Sequence, residues 1–515
     1  MTLIKEKILK LWIVDNYKGG IKMKFIKKLS AAVLSVSVFS LSCIPMYSCH
    51  GADTQENRMS EETLGFYETW KEKYLAQDNY VTDETQYYVY YGEEKYSGGN
   101  YSVPVTVSEA HGYGMLIMAS MADYDENARS YFDGMYRYFK AHPSDIGANL
   151  MSWQQCDNGT ALIDGANEGS MTGGPCDSAA DGDIDIAYSL LMADEVWGSS
   201  GEIDYRSEAI AVINDIMKYE VNHEYWTITL GDWVSECNKT DNYYSAVRCS
   251  DFIVQYLPIF ADVTGDENWL KVYDTTYGII NGIVGEYKTG ILPDFVIRDS
   301  NGKYIPAPAD FLESGNDGNY YYNSCRTPWR ISMDFLINGN TDALAFAEAI
   351  NSFMMNASNG DPWEVKAGYT PDGTAIEDYN DLCFTAPLLI SAKCTDNTEW
   401  HDKIRDTVLN YGDDVYYGDT IKMLCLIVDD DCWIVPKTRE NDTLLGDANC
   451  DGQVTIADST AILQALGNPD KYGLSAEGAI NADCCNPGDG ILPSDALAIQ
   501  KIDAKILSKL PEITK

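Results

Sequence analysis

Between about residues 59 and 435, apolar side chains recur three or four apart in segment after segment, and period-two alternation is scarce. Spacing of that kind makes a one-sided helix, and such a helix must bury its stripe against another. The apolar faces fall at 115–119, 131–139, 186–196, 210–217, 252–260, 269–283, 331–337, 344–354 and 421–427. Connections rich in Gly, Asn and Asp separate them, and those at 157–177 and 298–323 are long. Many helices joined by long loops predict an all-α domain whose functional residues sit at helix ends. Hydrophobic residues are 45% of the 515 and aromatics 12%, enough for a large core and too many for a disordered chain. Against 37 basic residues stand 79 acidic ones, a net charge of −42. A chain so acidic repels phosphate backbones, which excludes nucleic acid as a partner.

The start of the chain reads differently. A basic run from Met23 to Lys28 precedes an apolar stretch at 29–44 and a small-residue zone ending near Ala52. That is secretory signal architecture, and the apolar stretch is short for a membrane span. Residues 1–22 read as an upstream extension, because Met23 makes the better start. Segment 1–52 is therefore set aside, and the remainder is expected to be exported, with no membrane span in the mature protein. Of 14 cysteines, Cys43 and Cys49 lie in the leader and the others are scattered. A Cys156–Cys176 or Cys237–Cys249 bridge and a set of free buried thiols both remain open. The absence of a CxxC pair and a total of only five histidines speak against zinc.

At 437–443 the chain becomes wholly polar, which reads as a linker between a domain at 53–436 and a small unit at 444–512. The small unit repeats a loop followed by a helix. In the first loop Asp447, Asn449, Asp451 and Asp458 occupy positions 1, 3, 5 and 12, Gly452 stands at the sharp turn, and Gln453 offers its backbone carbonyl. That spacing wraps hard oxygen ligands around Ca2+. The second loop runs from Asp483 through Asp489 to Asp495, one residue longer, with Cys485 where an oxygen ligand is expected. Calcium is expected there too, with altered geometry. Polar or Gly-containing stretches precede both loops, so neither is expected to have the entering helix of a full EF-hand. The pair resembles a type I dockerin, which implies a cohesin domain of a scaffold protein as partner.

Three segments of the large domain carry candidate chemistry. Glu109 opens an apolar helix, where a capping role is the ordinary reading. Asp181, Asp183 and Asp185 crowd three acids into five residues, which repel one another and so need capping, calcium or a sugar to justify them. Glu313 lies in the long loop, 10 residues before Asn323, near Tyr320, Tyr321, Arg326, Trp329 and Arg330. Rings beside acids and arginines suit carbohydrate, because sugar faces stack on aromatics while hydroxyls bond to polar groups.

Together the three segments resemble glycoside hydrolase family 8, and the second matches its signature apart from Ala180, where serine or threonine is usual. The resemblance implies an (α/α)6 toroid and hydrolysis with inversion. It makes Glu109 the general acid and Asp181 the carboxylate that grips and distorts the sugar at the cleavage point. In one subgroup the base is an aspartate where this chain has Asn323, and an amide cannot take a proton from water. A second subgroup, which includes lichenases and chitosanases, has asparagine there and a glutamate from an inserted loop; Glu313 resembles that glutamate. Asn323 is then expected to orient the attacking water, with Trp153, Trp233, Tyr320, Tyr321 and Trp329 as candidate stacking platforms. The expected activity is a secreted endo-β-glycanase acting on β-1,4-glucan or mixed-linkage β-1,3-1,4-glucan, with no cofactor for catalysis. A chitosanase, a xylanase and a glycan-binding protein without turnover are the alternatives.

Overall fold

A computed structural model describes residues 58–92, 95–165, 170–412, 415–437, 444–450, 453–486, 490–507 and 509–511. The extension and signal at 1–52, residues 438–443 of the 437–443 linker, Asp451, Gly452 and Asp489 lie outside the described residues. The chain divides into two compact units, Met1–Pro436 and Lys437–Lys515.

Among its described residues the first unit has twelve α-helices. They are α1 (Glu61–Tyr74), α2 (Ser108–Ser120), α3 (Ala128–Ala141), α4 (Ala180–Trp197), α5 (Tyr205–Asp215), α6 (Leu257–Thr264), α7 (Asn268–Tyr287), α8 (Thr327–Asn338), α9 (Thr341–Ala357), α10 (Leu382–Lys393), α11 (Thr398–Asn410) and α12 (Tyr416–Asp429). Helices α2, α4, α8, α10 and α12 are buried over most of their residues, whereas α1, α3, α5, α7, α9 and α11 bury one stripe. The packing explains the difference. Each even-numbered helix packs on an odd-numbered neighbour, and α2 packs on α4 and α12, α10 on α8 and α12. An inner ring inside an outer one is the result, and only the inner helices have neighbours all round.

This arrangement fixes where the loops go. Turns from inner to outer helices are short, as at 339–340 and 394–397. Connections from outer to inner helices are long at 75–107, 142–179, 216–256, 288–326 and 358–381. Antiparallel hairpins then put every long connection on the face where the inner helices begin. Short antiparallel strands brace that face, a departure from a purely helical reading. One sheet joins β1 (Val103–Val107), β2 (Gln154–Asp157) and β3 (Leu162–Asp164); another joins β4 (Val247–Arg248), β5 (Phe295–Arg298) and β6 (Tyr304–Pro306). Strands of two to five residues carry too little alternation to register as a pattern.

The second unit packs α13 (Ile456–Gly467) against α16 (Pro493–Asp503), with α14 (Pro469–Tyr472) and α15 (Ala476–Ala482) between them. Helix α15 leads into Asp483, so the second loop does have a short entering helix. Its small residues and Gly478 hid it from the sequence pattern. No disulfide joins any two of the twelve described cysteines, Cys156, Cys176, Cys237 and Cys249 among them, and ten of the twelve are buried.

Candidate active site

Two glycines bring the first two acids together. A Cβ on Gly182 would lie 2.6 Å from the Ser108 backbone, and one on Gly112 would lie 2.8 Å from Asp185 Cβ. Helices α2 and α4 can therefore touch at their N-terminal turns, which carry Glu109 and Asp181 respectively. Trp153 stitches the same region through its backbone: its carbonyl accepts from Ser108 N (2.9 Å) and its N–H donates to Asp177 O (3.0 Å).

Arg326, buried in the turn before α8, ties this pair to the third segment. Its Nη1 donates to Glu109 Oε2, to Tyr113 Oη (2.9 Å) and to Asp181 Oδ2 (3.0 Å). Its Nη2 reaches Asn323 Oδ1 at 3.4 Å. The Asn323 amide then donates to Glu313 Oε2 at 2.8 Å. The structure thus brings Glu109, Asp181, Asn323 and Glu313 into one network. It also gives a reason for asparagine at 323. The amide presents an acceptor to the arginine and a donor to the glutamate, whereas a carboxylate there would oppose Glu313.

Glu313 lies in irregular chain yet is held firmly. Asp317 accepts the backbone N–H groups of Leu312 (2.7 Å), Glu313 (3.0 Å) and Ser314 (2.8 Å), closing the loop. Arg248 Nη2 donates to Glu313 Oε1 at 2.9 Å. Three polar residues of this site escaped the sequence reading: Arg248, its neighbour Asp251, and Asp294, which receives Ser324 N and Oγ (both 2.7 Å) and Tyr321 N (3.0 Å). Arg248 ends a two-residue strand and the two aspartates flank short turns, so no local pattern marked them.

The electrostatics separate the acids. Burial pushes the Glu109 carboxyl up to about 7, against the lowering effect of Arg326 and with a further push from Asp181. Burial also acts on Asp181, but Arg326, Arg248 and Arg330 outweigh it and hold that carboxyl below its ordinary range. Burial raises Asp251 and Asp294 to about 7. One proton-bearing acid beside one permanent carboxylate is what acid catalysis on a neutral polymer requires.

The aromatic expectations divide. Trp153 and Trp233 are half-buried, and Trp233 packs edge-on to Tyr243 (5.5 Å) beside Phe311 and Leu312 of the Glu313 loop. Tyr320, Tyr321 and Trp329 are corrected: all three are buried and offer no face to a sugar. Trp329 carries Arg330 over its ring at 4.0 Å, and Arg330 pairs with Asp185 in the core. Tyr320 and Tyr321 pack on Phe384 of α10. Asp183 is likewise in the core, facing Glu220.

In the second unit each loop is closed by its last acid. Asp458 accepts from Asn449 N (3.1 Å) and Thr455 N (2.8 Å); Asp495 accepts from Cys484 N (2.8 Å), Cys485 N (2.6 Å) and Leu492 N (2.7 Å). Oxygen donors Asp447, Asn449, Gln453 and Asp458 fit a hard cation, while the buried thiol of Cys485 suits the second loop to it less well. Among the described residues no three His, Cys, Asp or Glu side chains converge as a metal centre. Nor is any described helix long and apolar enough to cross a membrane.

The double ring with carboxylates at the inner helix starts defines a glycoside hydrolase. The chain belongs to Glycosyl hydrolases family 8, whose model matches residues 43–431. A beta-glucanase of Niallia circulans is 42% identical over 73% of this chain and 86% of its own. Endoglucanase C of Ruminiclostridium cellulolyticum is 28% identical over 87% of this chain and 92% of its own. The structure of a beta-1,3-1,4-glucanase from Paenibacillus sp. X4, also 42% identical, covers 73% of this chain and 92% of that one, with a TM-score of 0.64.

Proposed function

We propose that this chain is an endo-β-glucanase that cleaves β-1,4-glucan or mixed-linkage β-1,3-1,4-glucan with inversion, and that its second unit docks it to a scaffold. The Asn323 amide bridging Arg326 and Glu313 carries the reading, since it makes Glu313 the carboxylate opposite the acid. Glu109, neutral below about pH 7, donates its proton to the departing glycosidic oxygen. Glu313 takes a proton from water attacking the opposite face of the sugar, and Asn323 holds that water in line. Asp181, charged throughout, grips the sugar hydroxyls and favours distortion toward the oxocarbenium-like transition state. Inversion needs roughly 6.5–9.5 Å between the two carboxyls to seat the water. The interposed guanidinium and amide keep Glu109 and Glu313 out of contact. The names and identities of the beta-glucanase relatives support the substrate, and the alternatives within the family are chitosan and xylan.

For the second unit the support is the loop spacing, the loop closure by Asp458 and Asp495, and the exposed surface. Of fifteen large apolar side chains exposed among the described residues, nine belong to this small unit, including Ile456, Leu463, Leu466, Leu492 and Leu497. A soluble unit that small exposes so much apolar surface when a partner covers it, here a cohesin domain. Asp447, Asn449, Asp451, Gln453 and Asp458 would hold Ca2+ in the first loop, and Asp483, Asp489 and Asp495 in the second; bound calcium neutralises the acids and fixes the loops. The match to Endoglucanase C spans more of the chain than the first unit alone supplies. Export through the segment ending near Ala52 and attachment outside the cell complete the reading.

Reducing-end release on barley glucan, carboxymethylcellulose, xylan and chitosan tests the substrate, and NMR of the first-formed product tests the stereochemistry. Retention of the anomeric configuration, or full turnover by Glu313→Gln, would overturn the mechanism. Binding of glucan without cleavage by the wild type would replace it with the binding-protein alternative.

A further inference from the structure

Trp363 stands apart from the other tryptophans. It is 45% exposed, and it is the one tryptophan among the large apolar side chains exposed in the described residues. One face of its indole is backed by Tyr411, ring centroids 5.4 Å apart and planes within 16° of parallel. Single exposed hydrophobic residues are ordinary on protein surfaces. This one is built. Asp361 accepts the Trp363 N–H (3.1 Å) and Pro362 opens the turn, while Asn380 Nδ2 donates to Pro362 O (3.2 Å) and Val365 O (2.8 Å). The Asn380 carbonyl in turn accepts the Tyr411 hydroxyl at 3.2 Å. One asparagine therefore holds both the turn that presents the indole and the ring that backs it. A flat aromatic surface fixed in this way binds without losing side-chain freedom.

Its place in the fold is equally specific. Trp363 follows the C-terminal end of outer helix α9, and Tyr411 follows that of outer helix α11. Outer helices run antiparallel to inner ones, so those ends open on the face where α2, α4 and α8 bring Glu109, Asp181 and Arg326. The ring lies on the outer rim of the catalytic face. Exposed Asp361 and Glu364 flank it, which disfavours a polyanion.

We infer that Trp363, backed by Tyr411, is a second glycan-binding site that stacks a neutral β-glucan chain at the rim, outside the catalytic constellation. The inference rests on the β-glucan reading but not on the identity of the catalytic base. The test is affinity electrophoresis of the full chain carrying Glu109→Gln, run through gels containing barley β-glucan, with and without a change at Trp363. Trp363→Ala is expected to weaken retardation about fivefold to tenfold, with Trp363→Phe keeping most of it because a flat ring remains. Melting curves of the variants confirm that all are folded. Retardation of Trp363→Ala equal to its parent, or equal losses in Ala and Phe, overturns the platform. Reducing-end release from the same glucan by the wild type reads the catalytic proposal separately, so loss of one leaves the other standing.

Discussion

Replacing Asn323 with aspartate tests the site logic more sharply than deleting any acid. The amide nitrogen that now donates to Glu313 Oε2 at 2.8 Å would become a carboxylate oxygen. Two unit charges at that distance repel by about 6 kcal/mol at an effective dielectric of about 20, and by about 3 kcal/mol once they relax to about 5 Å. The smaller figure is worth about two pK units, so the aspartate–glutamate pair is expected to share a proton. Arg326 and Arg248 face the pair from the other side and offset part of this. The assay is kcat/KM on soluble mixed-linkage glucan across pH. The acid limb of the Asn323→Asp profile is expected to move up by about two units, so that activity at a pH below both limbs falls by roughly 100-fold. Activity near wild type with an unmoved acid limb would refute the reasoning, because the new aspartate would then be serving as base in place of Glu313.

Further outcomes follow from the same geometry. Glu109 loses its proton as pH rises through about 7, so the alkaline limb of kcat/KM is expected near pH 7. Glu109→Gln should lose about 10²–10⁴-fold on glucan while sparing aryl glycosides whose leaving group needs no proton, read by comparing the two substrates. Asp183 and Glu220 are both buried, and burial reinforced by neighbouring acids raises each carboxyl well above its ordinary range. Groups raised in the folded state stabilise it fully at low pH, and that contribution is lost as pH climbs through the folded values. Glu220→Gln is neutral at every pH, so its Tm is expected to fall less than that of the wild type as pH rises above the ordinary carboxylate range, measured by calorimetry. Chelation with EDTA is expected to lower the melting transition of the second unit and leave that of the first unmoved, read by calorimetry of the full chain.

The sequence made legible whatever repeats or sits at a helix start. Glu109 and Asp181 open α2 and α4; the residues marked them as candidates, and only the family resemblance gave them roles. Glu313 became a candidate through the asparagine at 323, which resembles a subgroup that draws a glutamate from an inserted loop. What escaped was set by neighbours distant in the chain. Arg248 reaches Glu313 across 65 residues, and nothing near Arg248 predicts that. The error over Tyr320, Tyr321 and Trp329 has the same origin. Composition shows rings beside acids, but only packing against Phe384 and Arg330 shows which way they point. Trp363 is the converse case, a ring outside the three acidic segments whose exposure comes from a turn locked by Asn380.

The segregation of connections between the two faces of the helical double ring has an evolutionary consequence. Short turns at 339–340 and 394–397 leave no room for insertion without unpacking a hairpin. Long outer-to-inner connections can lengthen, shrink or be exchanged while the inner helices keep their positions. Freedom to change length and the packing of the frame are thereby assigned to different parts of the chain. Within 288–326 the chain around Asp294, Glu313, Asn323 and Arg326 is tied to the site network, so length can change elsewhere in that connection while the helical frame stays the same.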